Sequence, residues 1–454
     1  MTDSGEAVDQ ATLHTRRGRP FEVTNRLVLA IAVPMTLAYL TTPLLGIVDT
    51  AVVGQLGDAA LLGGLAAGAI VFDVVFNTFN SLRSSTTGLV AQAHGRGDVQ
   101  EEQAILLRSL AVAAGVGVAL ILLTAAIAWL GVRFIDPEPE VARAMHLYIE
   151  IRMLAAPLTL INFSILGYVL GRGEGGIGLI LQVFLNGSNI VLSILLGLHL
   201  GWGLEGVAWG TVGGELVGAA AGLVILLRRF RESPRPVLSR IFDMSSMLDM
   251  LALNRDIMVR SFALLATFAL FTRQGAQLGT VTLAANAVLL NFYLVAGYFL
   301  DGFATAAEQL AGRAIGARHA PAFRKAVWLS TLWGFALAVA ATATFLLFGE
   351  TFIHLMTTAP EVRAAAGAYL PWAAFIAVSG VLAFAMDGVF IGATWSRDMR
   401  NMMLLSLAVY VACLFSLGAV FGNPGLWAAL HIFMIARGLT LVSILPRRAR
   451  EAFR

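Results

Sequence analysis

Residues 27–53 read LVLAIAVPMTLAYLTTPLLGIVDTAVV, and Asp49 is the only charged residue among them. About 18 apolar residues are enough to cross a hydrocarbon core roughly 30 Å thick as a helix. Further stretches of this kind predict twelve spans, near residues 27–53, 61–82, 105–130, 147–171, 177–198, 204–227, 257–280, 282–310, 326–349, 369–393, 401–421 and 425–445. Because lipid offers the backbone no hydrogen-bond partners, each span is predicted to be an α-helix.

The composition agrees with an all-α integral membrane protein. Of the 454 residues, 58% are hydrophobic and only 13% are charged, whereas soluble domains carry about 25% charged residues. The net charge of +3 comes from basic residues in the loops and at the termini, a pattern that reflects topology rather than a nucleic-acid partner. Cys413 is the only cysteine, so no intramolecular disulfide is possible.

Arginines cluster before the first span, in the central loop, after the eighth span and at the end of the chain. With twelve spans, all these clusters fall on one side of the membrane. Positively charged loops mark the cytoplasmic side, which predicts a multi-pass protein of the cell inner membrane with both termini in the cytoplasm. The first 25 residues lack the apolar segment of a signal peptide and are predicted to be a cytoplasmic tail.

The two halves of the chain are related by a shift of 221 residues. The shift aligns EVARAMHLY (140–148) with EVRAAAGAY (361–369), and it places Gly95, Gly167 and Gly171 on Gly316, Gly388 and Gly392. Six helices separate equivalent positions, so the repeats are predicted to be parallel, with a cleft between them at the membrane midplane. The predicted units are a tail (1–25), a first lobe (26–227), a linker (228–256), a second lobe (257–445) and a tail (446–454).

Asp49 is the strongest candidate for a functional residue. A charged side chain at bilayer depth costs about 2.5–3.5 kcal/mol on insertion scales and is a functional hypothesis by default. Because a low dielectric disfavours the ionised carboxyl group, such a residue can take up and release a proton. Pro34 and Pro43 in the same span each remove a backbone hydrogen bond and permit the helix to bend.

Polar residues in the neighbouring spans predict a cavity around Asp49. Asn186, Asn189 and Ser193 are spaced to share one face of the fifth span, and Asn162 lies in the fourth. Asn77 or Asn80 of the second span could complete the group. The alternative for each asparagine is a plain hydrogen bond between helices.

Other intramembrane acids have less certain roles. Asp73 in the second span is compatible with either the same cavity or a membrane interface. In the second half the candidates are Asp301, Glu308 and Asp387, with Arg273 as a possible ion-pair partner that would make them structural. No HExxH pair, metal-ligand cluster or phosphate-binding loop occurs in the sequence, which disfavours an enzyme and an ATP-driven pump and predicts no metal or organic cofactor.

Five stretches together resemble the MATE (multidrug and toxic compound extrusion) family, and within it the DinF-like branch. They run across both halves: PMTLAYLTTPLLGIVDTAVVGQLG (34–57), FNSLRSSTTGLVAQAHGRGD (79–98), NFSILGYVLGRGE (162–174), LDGFATAAEQLAGRAIGAR (300–318) and DGVFIGATWSRDMRNMM (387–403). The resemblance implies a V-shaped, two-lobed antiporter of twelve helices that exports cationic or amphipathic organic compounds against a proton or sodium gradient.

The resemblance also implies roles for single residues. Asp49 matches the coupling carboxylate of relatives, Pro34 matches the proline at which their first helix bends, and Asn162 and Asn189 look similar to cavity asparagines. Where relatives read NIVLD, this chain reads NIVLS, so Ser193 stands in place of an acid. Sodium prefers several oxygen ligands with negative charge, and the missing acid therefore favours protons as the coupling ion, unless Asp73 substitutes for it as a second coupling residue.

Residues 262–272, in the seventh span, carry no acid either, although some branches of the family place one there. A sodium-coupled exporter remains an alternative. Another is a flippase for lipid-linked oligosaccharides, which should need several arginines in its cavity, and the sequence points only to Arg273 and Arg83. The expected partners are therefore small organic substrates and the lipid bilayer, and the expected state is a monomer.

Overall fold

The computed structural model describes residues 21–231, 234 and 236–454, and in these residues the chain folds into helices without a strand. Most of the predicted tail 1–25 and part of the linker lie outside the described residues. The helices are α1 Asn25–Gly54, α2 Ala59–Phe79, α3 Ser81–Arg96, α4 Val99–Leu122, α5 Thr124–Ile135, α6 Pro139–Met153, α7 Ala156–Gly171, α8 Gly175–Ile194, α9 Gly203–Arg231, α10 Leu238–Ile241, α11 Met244–Gln277, α12 Thr280–Gly316, α13 Ala320–Met356, α14 Pro360–Gly392, α15 Ser396–Phe421 and α16 Asn423–Ala452.

Short polar side chains set where several helices begin. The Thr24 hydroxyl accepts a hydrogen bond from the amide of Leu27 at the start of α1. Asp58 and Asp98 accept amide hydrogen bonds in the first turns of α2 and α4. An N-terminal cap of this kind satisfies amides that have no partner within the helix.

The predicted membrane character is confirmed. Within the described ranges, ten helical segments are long and apolar enough to span a membrane, with α2 and α3 counted as one. The pair α6 and α7, bent by 52°, forms an eleventh span if it is one unit. Helix α11, with 34 residues, completes the twelve predicted spans. The sequence analysis did not foresee α3, a polar helix that continues α2 beyond Asn80.

The helices of the two halves begin at equivalent positions. In the first half α2, α4, α6, α8 and α9 begin at residues 59, 99, 139, 175 and 203, and in the second half α12 to α16 begin at 280, 320, 360, 396 and 423. The offset is 221 for four of the pairs and 220 for the last. The structure therefore contains the parallel six-helix repeat, while the exact lobe boundaries stay a prediction.

The packing within each half repeats as well. A Cβ atom at Gly167 of α7 would lie 2.5 Å from the carbonyl oxygen of Arg83, and one at Gly388 of α14 would lie 2.1 Å from that of Ala304. Both residues of the second contact are 221 positions after those of the first. Small residues let membrane helices approach closely, so the aligned glycines mark one packing solution that is used twice.

The hydrophobic cores show that the bundle has two lobes joined at one end. One core contains only residues of the second half, from Ala263 to Met434, and another contains only residues of the first, from Val52 to Ala208. A third core joins α1 with α11 to α16. Since the cores are separate at one end and merged at the other, the lobes form a V.

The lobes meet where α3 crosses α12. A Cβ atom at Gly95 would lie 2.1 Å from the carbonyl oxygen of Arg313, and one at Gly316 would lie 1.9 Å from that of Gln92. The two contacts exchange equivalent residues, as expected for helices related by a pseudo-twofold axis. We call this end of the molecule the closed end and the opposite end the open end.

Gly388→Ala should destabilise the protein by about 1–3 kcal/mol, because the new methyl group overlaps the backbone of α12. The matched control is Gly115→Ala in α4, where a Cβ atom has no neighbour within 4 Å. There the change should be neutral or stabilising, since alanine favours helix by up to about 1 kcal/mol over glycine. Thermal unfolding in detergent measures both variants, and equal midpoints would contradict the packing argument.

Candidate functional site

Asp49 lies in α1 five residues before the helix ends, and its side chain is buried against the first lobe. The Ser193 hydroxyl and the Arg152 guanidinium act on its carboxylate electrostatically. One carboxylate oxygen, Oδ1, is buried and has no hydrogen-bond partner among the described residues. The carboxylate of Asp49 can therefore accept a hydrogen bond from one further donor.

The polar stripe predicted on the fifth span faces the interior of the first lobe. Asn186, Asn189 and Ser193 on α8 are all at most 3% exposed. The Asn186 amide donates to Thr41 of α1 at 2.5 Å, and the Ser193 hydroxyl donates to the Asn189 side-chain oxygen at 3.1 Å. These contacts place the stripe between α1 and its neighbours.

The glycines of GTVGG (210–214) allow α9 to pack directly on that stripe. A Cβ atom at Gly210 would lie 2.6 Å from the amide nitrogen of Ser193, and one at Gly214 would lie 2.7 Å from Cβ of Asn189. The close packing brings the next residue of α9, Glu215, into the lobe interior.

Glu215 is a buried acid that the sequence analysis missed. The Asn162 amide donates to its carboxylate at 2.6 Å and to its backbone carbonyl oxygen at 2.9 Å. The signal was present nonetheless, since an acid within an apolar span is a functional hypothesis by default.

Arg152 is the second residue that was missed. It lies near the end of α6, where the chain bends into α7. Its guanidinium donates to the Tyr148 hydroxyl at 2.9 Å and lies 4.5 Å from the ring centroid of Phe72. The charge acts on both Asp49 and Glu215.

The first lobe thus contains a cluster of two buried carboxyl groups around one guanidinium, formed by Asp49, Glu215 and Arg152. Counting only the two buried acids and Arg152, the cluster carries one excess negative charge when both acids are ionised, and the exposed Asp73 on α2 also interacts with this guanidinium. Low dielectric makes an unbalanced charge costly. A single added proton or monovalent cation makes the cluster neutral, so it is chemically suited to bind one positive charge reversibly.

The second-span candidates lie on α2 and at its end. Asp73 and Asn77 are exposed on α2, and Asp73 acts electrostatically on Arg152 and on Tyr298 of the second lobe. Asp73 therefore faces the cleft between the lobes. Asn80 accepts a hydrogen bond from Arg83 at 3.2 Å, and its place in the Asp49 cavity stays a prediction.

Helix α1 continues through both of its prolines from Asn25 to Gly54. Pro43 lies six residues before Asp49 and Pro34 lies fifteen before it. The missing backbone hydrogen bonds are thus on the same helix as the buried acid. That arrangement permits a bend, and the predicted role of these residues stays a prediction.

In the second lobe Asp387 of α14 is buried between two arginines. Arg260 of α11 and Arg437 of α16 both donate to its Oδ2 atom. Arg273, the partner suggested by the sequence, is exposed near the end of α11 and forms neither bond. That suggestion was wrong because Arg273 lies 13 residues after Arg260, about 20 Å further along α11, and it is Arg260 that reaches Asp387.

Buried arginines are more numerous than the sequence analysis expected. Besides Arg152, side chains of this type inside the bundle are Arg83, Arg108, Arg260 and Arg437. Arg83 pairs with Glu308, and Arg108 pairs with Glu101. Arg260 and Arg437 both pair with Asp387. Because an acid lies against each of them, these guanidinium groups do not form an open anion site.

Comparison with known proteins relates both halves to one family. A family model described as MatE matches residues 34–195 and 257–415. The DNA damage-inducible protein F of Escherichia coli K12 is 36% identical over 93% of this chain and 92% of its own length. A probable multidrug resistance protein NorM of Rhizobium meliloti is 26% identical over 91% of both chains.

A solved structure gives the same fold. The outward-facing conformation of a multidrug resistance MATE family transporter matches with a TM-score of 0.87 over 94% of this chain and 96% of that one. Its sequence is 17% identical, so the likeness extends to the fold. Among the described residues, no group of three or more His, Cys, Asp or Glu side chains is arranged to hold a metal ion.

Arg152→Met should lower the thermal midpoint by a few degrees, because it removes a positive charge that acts on both buried acids, Asp49 and Glu215. Arg143→Met on the same helix is the matched control, since that side chain is 78% exposed and surface ion pairs contribute little. Adding Glu215→Gln to Arg152→Met should restore part of the loss. A double variant no more stable than Arg152→Met would rule out the shared charge balance.

Proposed function

This chain belongs to the MATE family of membrane transporters, and we propose that it exports organic cations or amphipathic compounds in exchange for protons. Carriers of this family are not enzymes. The observation that carries the proposal is the first-lobe cluster of two buried carboxyl groups around Arg152. The cluster lies beside a cleft between two lobes, where one site can be exposed alternately to either side.

The charge balance supports proton coupling. Arg152 already places a fixed positive charge among the acids, and Ser193 supplies a neutral oxygen where relatives carry an acid. A sodium ion at this position would be repelled by the guanidinium and would lack a dense set of anionic ligands. A proton needs only one carboxylate oxygen, such as Oδ1 of Asp49, which has no hydrogen-bond partner in the described structure.

The distribution of arginines supports a cytoplasmic closed end. Arg96, Arg240, Arg318 and Arg448 lie near the ends of helices on that side. Cytoplasmic loops carry the excess of positive charge. In this orientation the open end faces the outside of the inner membrane, and both termini lie in the cytoplasm.

The transport cycle follows from these placements. In the outward-open state a proton enters the cluster at Asp49, and α1 changes its bend near Pro34 and Pro43. The neutralised cluster then holds a cationic substrate less tightly, so the substrate leaves to the outside. Closure of the open end and opening of the closed end release the proton to the cytoplasm.

The cleft supports a cationic cargo. Asp73 is exposed on α2 of the first lobe and acts electrostatically on Tyr298 of the second, which supports a cleft with an acid on one side and an aromatic ring on the other. Carboxylates and ring faces both attract organic cations. The relative from Rhizobium, named as a probable multidrug resistance protein, supports export of several compounds, and a flippase is disfavoured because the buried arginines are paired with acids.

Asp49→Asn should reduce export roughly tenfold or more, within the range of typical coupling free energies. The amide keeps the size of the side chain but cannot bind a proton. The measurement is efflux of a fluorescent organic cation from proteoliposomes with an imposed pH gradient. Glu205→Gln, an exposed acid of α9, is the control and should export at the parent rate. Parent rates for Asp49→Asn would refute its coupling role.

Replacing sodium by choline at constant pH should leave export nearly unchanged, because the cluster requires a proton rather than a metal ion. The same proteoliposomes are used, with the pH gradient held fixed. A collapse of export in choline, restored by sodium alone, would establish sodium as the coupling ion instead.

A further inference from the structure

A charge pair joins the two lobes at the closed end. Arg83 lies on α3 of the first lobe, and Glu308 lies on α12 of the second. An Nη1–Oε2 distance of 3.7 Å separates them, and their side chains are 12% and 3% exposed. A buried pair of this kind strongly opposes separation, because removing one partner leaves the other charge uncompensated.

Two hydrogen bonds within the first lobe orient the Arg83 guanidinium and leave one of its nitrogen atoms facing the second lobe. Its Nε atom donates to Asn80 at 3.2 Å and Nη2 donates to Ser84 at 3.0 Å, both within the same lobe. The remaining Nη1 atom points to Glu308 without a hydrogen bond, and Oε1 of Glu308 also has none in the described residues. The contact across the lobes is therefore held by charge, and it can part without breaking a hydrogen bond.

Glu308 is the end of a chain of charges that reaches into the second lobe. Asp301 lies two helical turns before it on α12 and also interacts with Arg83. Asp301 interacts in addition with Arg260 and Arg437. When the lobes separate, Asp301 keeps these two arginines of its own lobe. Glu308 depends on Arg83.

We infer that Arg83 and Glu308 form an electrostatic latch that helps to hold the closed end shut and raises the free-energy cost of opening it. The inference rests on the proposed function, since alternating access requires this end to open. Tyr39 faces the same region and bonds to Thr305 across the lobes at 2.9 Å. Water can take the place of that neutral hydrogen bond when it breaks. A buried carboxylate such as Glu308 that loses its counter-charge has no equivalent substitute.

The test measures the separation of the lobes directly. Spin labels are attached to Arg96→Cys on α3 and Arg324→Cys on α13, two exposed positions on opposite lobes at the closed end. The background carries Cys413→Ser, which removes the only natural cysteine. Double electron–electron resonance on the full chain in lipid nanodiscs, without substrate or gradient, then reports the distance distribution.

In the parent a short distance should dominate. Glu308→Gln should raise the ratio of long to short distances about tenfold, as expected when a buried pair loses one charge. Glu102→Gln is the matched control, because Glu102 is equally buried and pairs with Arg172 inside the first lobe. Its distribution should equal that of the parent.

Arg83→Gln should shift the distances in the same direction as Glu308→Gln. The double variant, which leaves no unpaired charge, provides the same test if Glu308→Gln fails to fold. Distributions identical to the parent in these variants would overturn the latch, and so would a parent that is already separated. The experiment involves no transport, so normal export by Asp49→Asn would refute the coupling proposal without touching this result.

Discussion

A charge inside a lipid-embedded helix bundle needs an opposite charge beside it, and this constraint arranges the polar interior of the protein. Asp387 is held by two arginines from two other helices, and Glu308 faces Arg83 across the lobes. In the first lobe, Arg152 serves two acids at once. In the cluster of Asp49, Glu215 and Arg152, the acids outnumber the arginine by one, and this cluster is therefore the best suited to bind and release a cation.

The duplication gives the two lobes one backbone plan but different electrostatics. The first half breaks its helices near residues 80, 123 and 154, where the second half continues through α12, α13 and α14. Asn80 lies at the first of these breaks and Arg152 lies beside the third. The breaks allow polar side chains to enter the first lobe, whereas the continuous helices α12 and α14 of the second lobe carry three acids that face Arg260, Arg437 and, across the lobes, Arg83.

Much of the fold could be predicted from the sequence. Blocks of apolar residues fixed the number and places of the spans, because only a helix satisfies its backbone in lipid. The offset of 221 residues identified the repeat, since close packing at Gly167 and Gly388 requires glycine in both halves. Asp49 and the stripe on α8 were predicted because polar residues are conspicuous in apolar spans.

The pairing of the charges was decided only by the tertiary structure. The sequence pointed to Arg273 as a partner for the acids of the second half, whereas the packed bundle brings Arg260, about 20 Å away along α11, to Asp387. Arg152 and Glu215 meet Asp49 from helices that are far apart in the chain. The sequence by itself determined which residues are buried in the membrane, since hydropathy is a local property, whereas electrostatic partners depend on distances that exist only after the helices have packed.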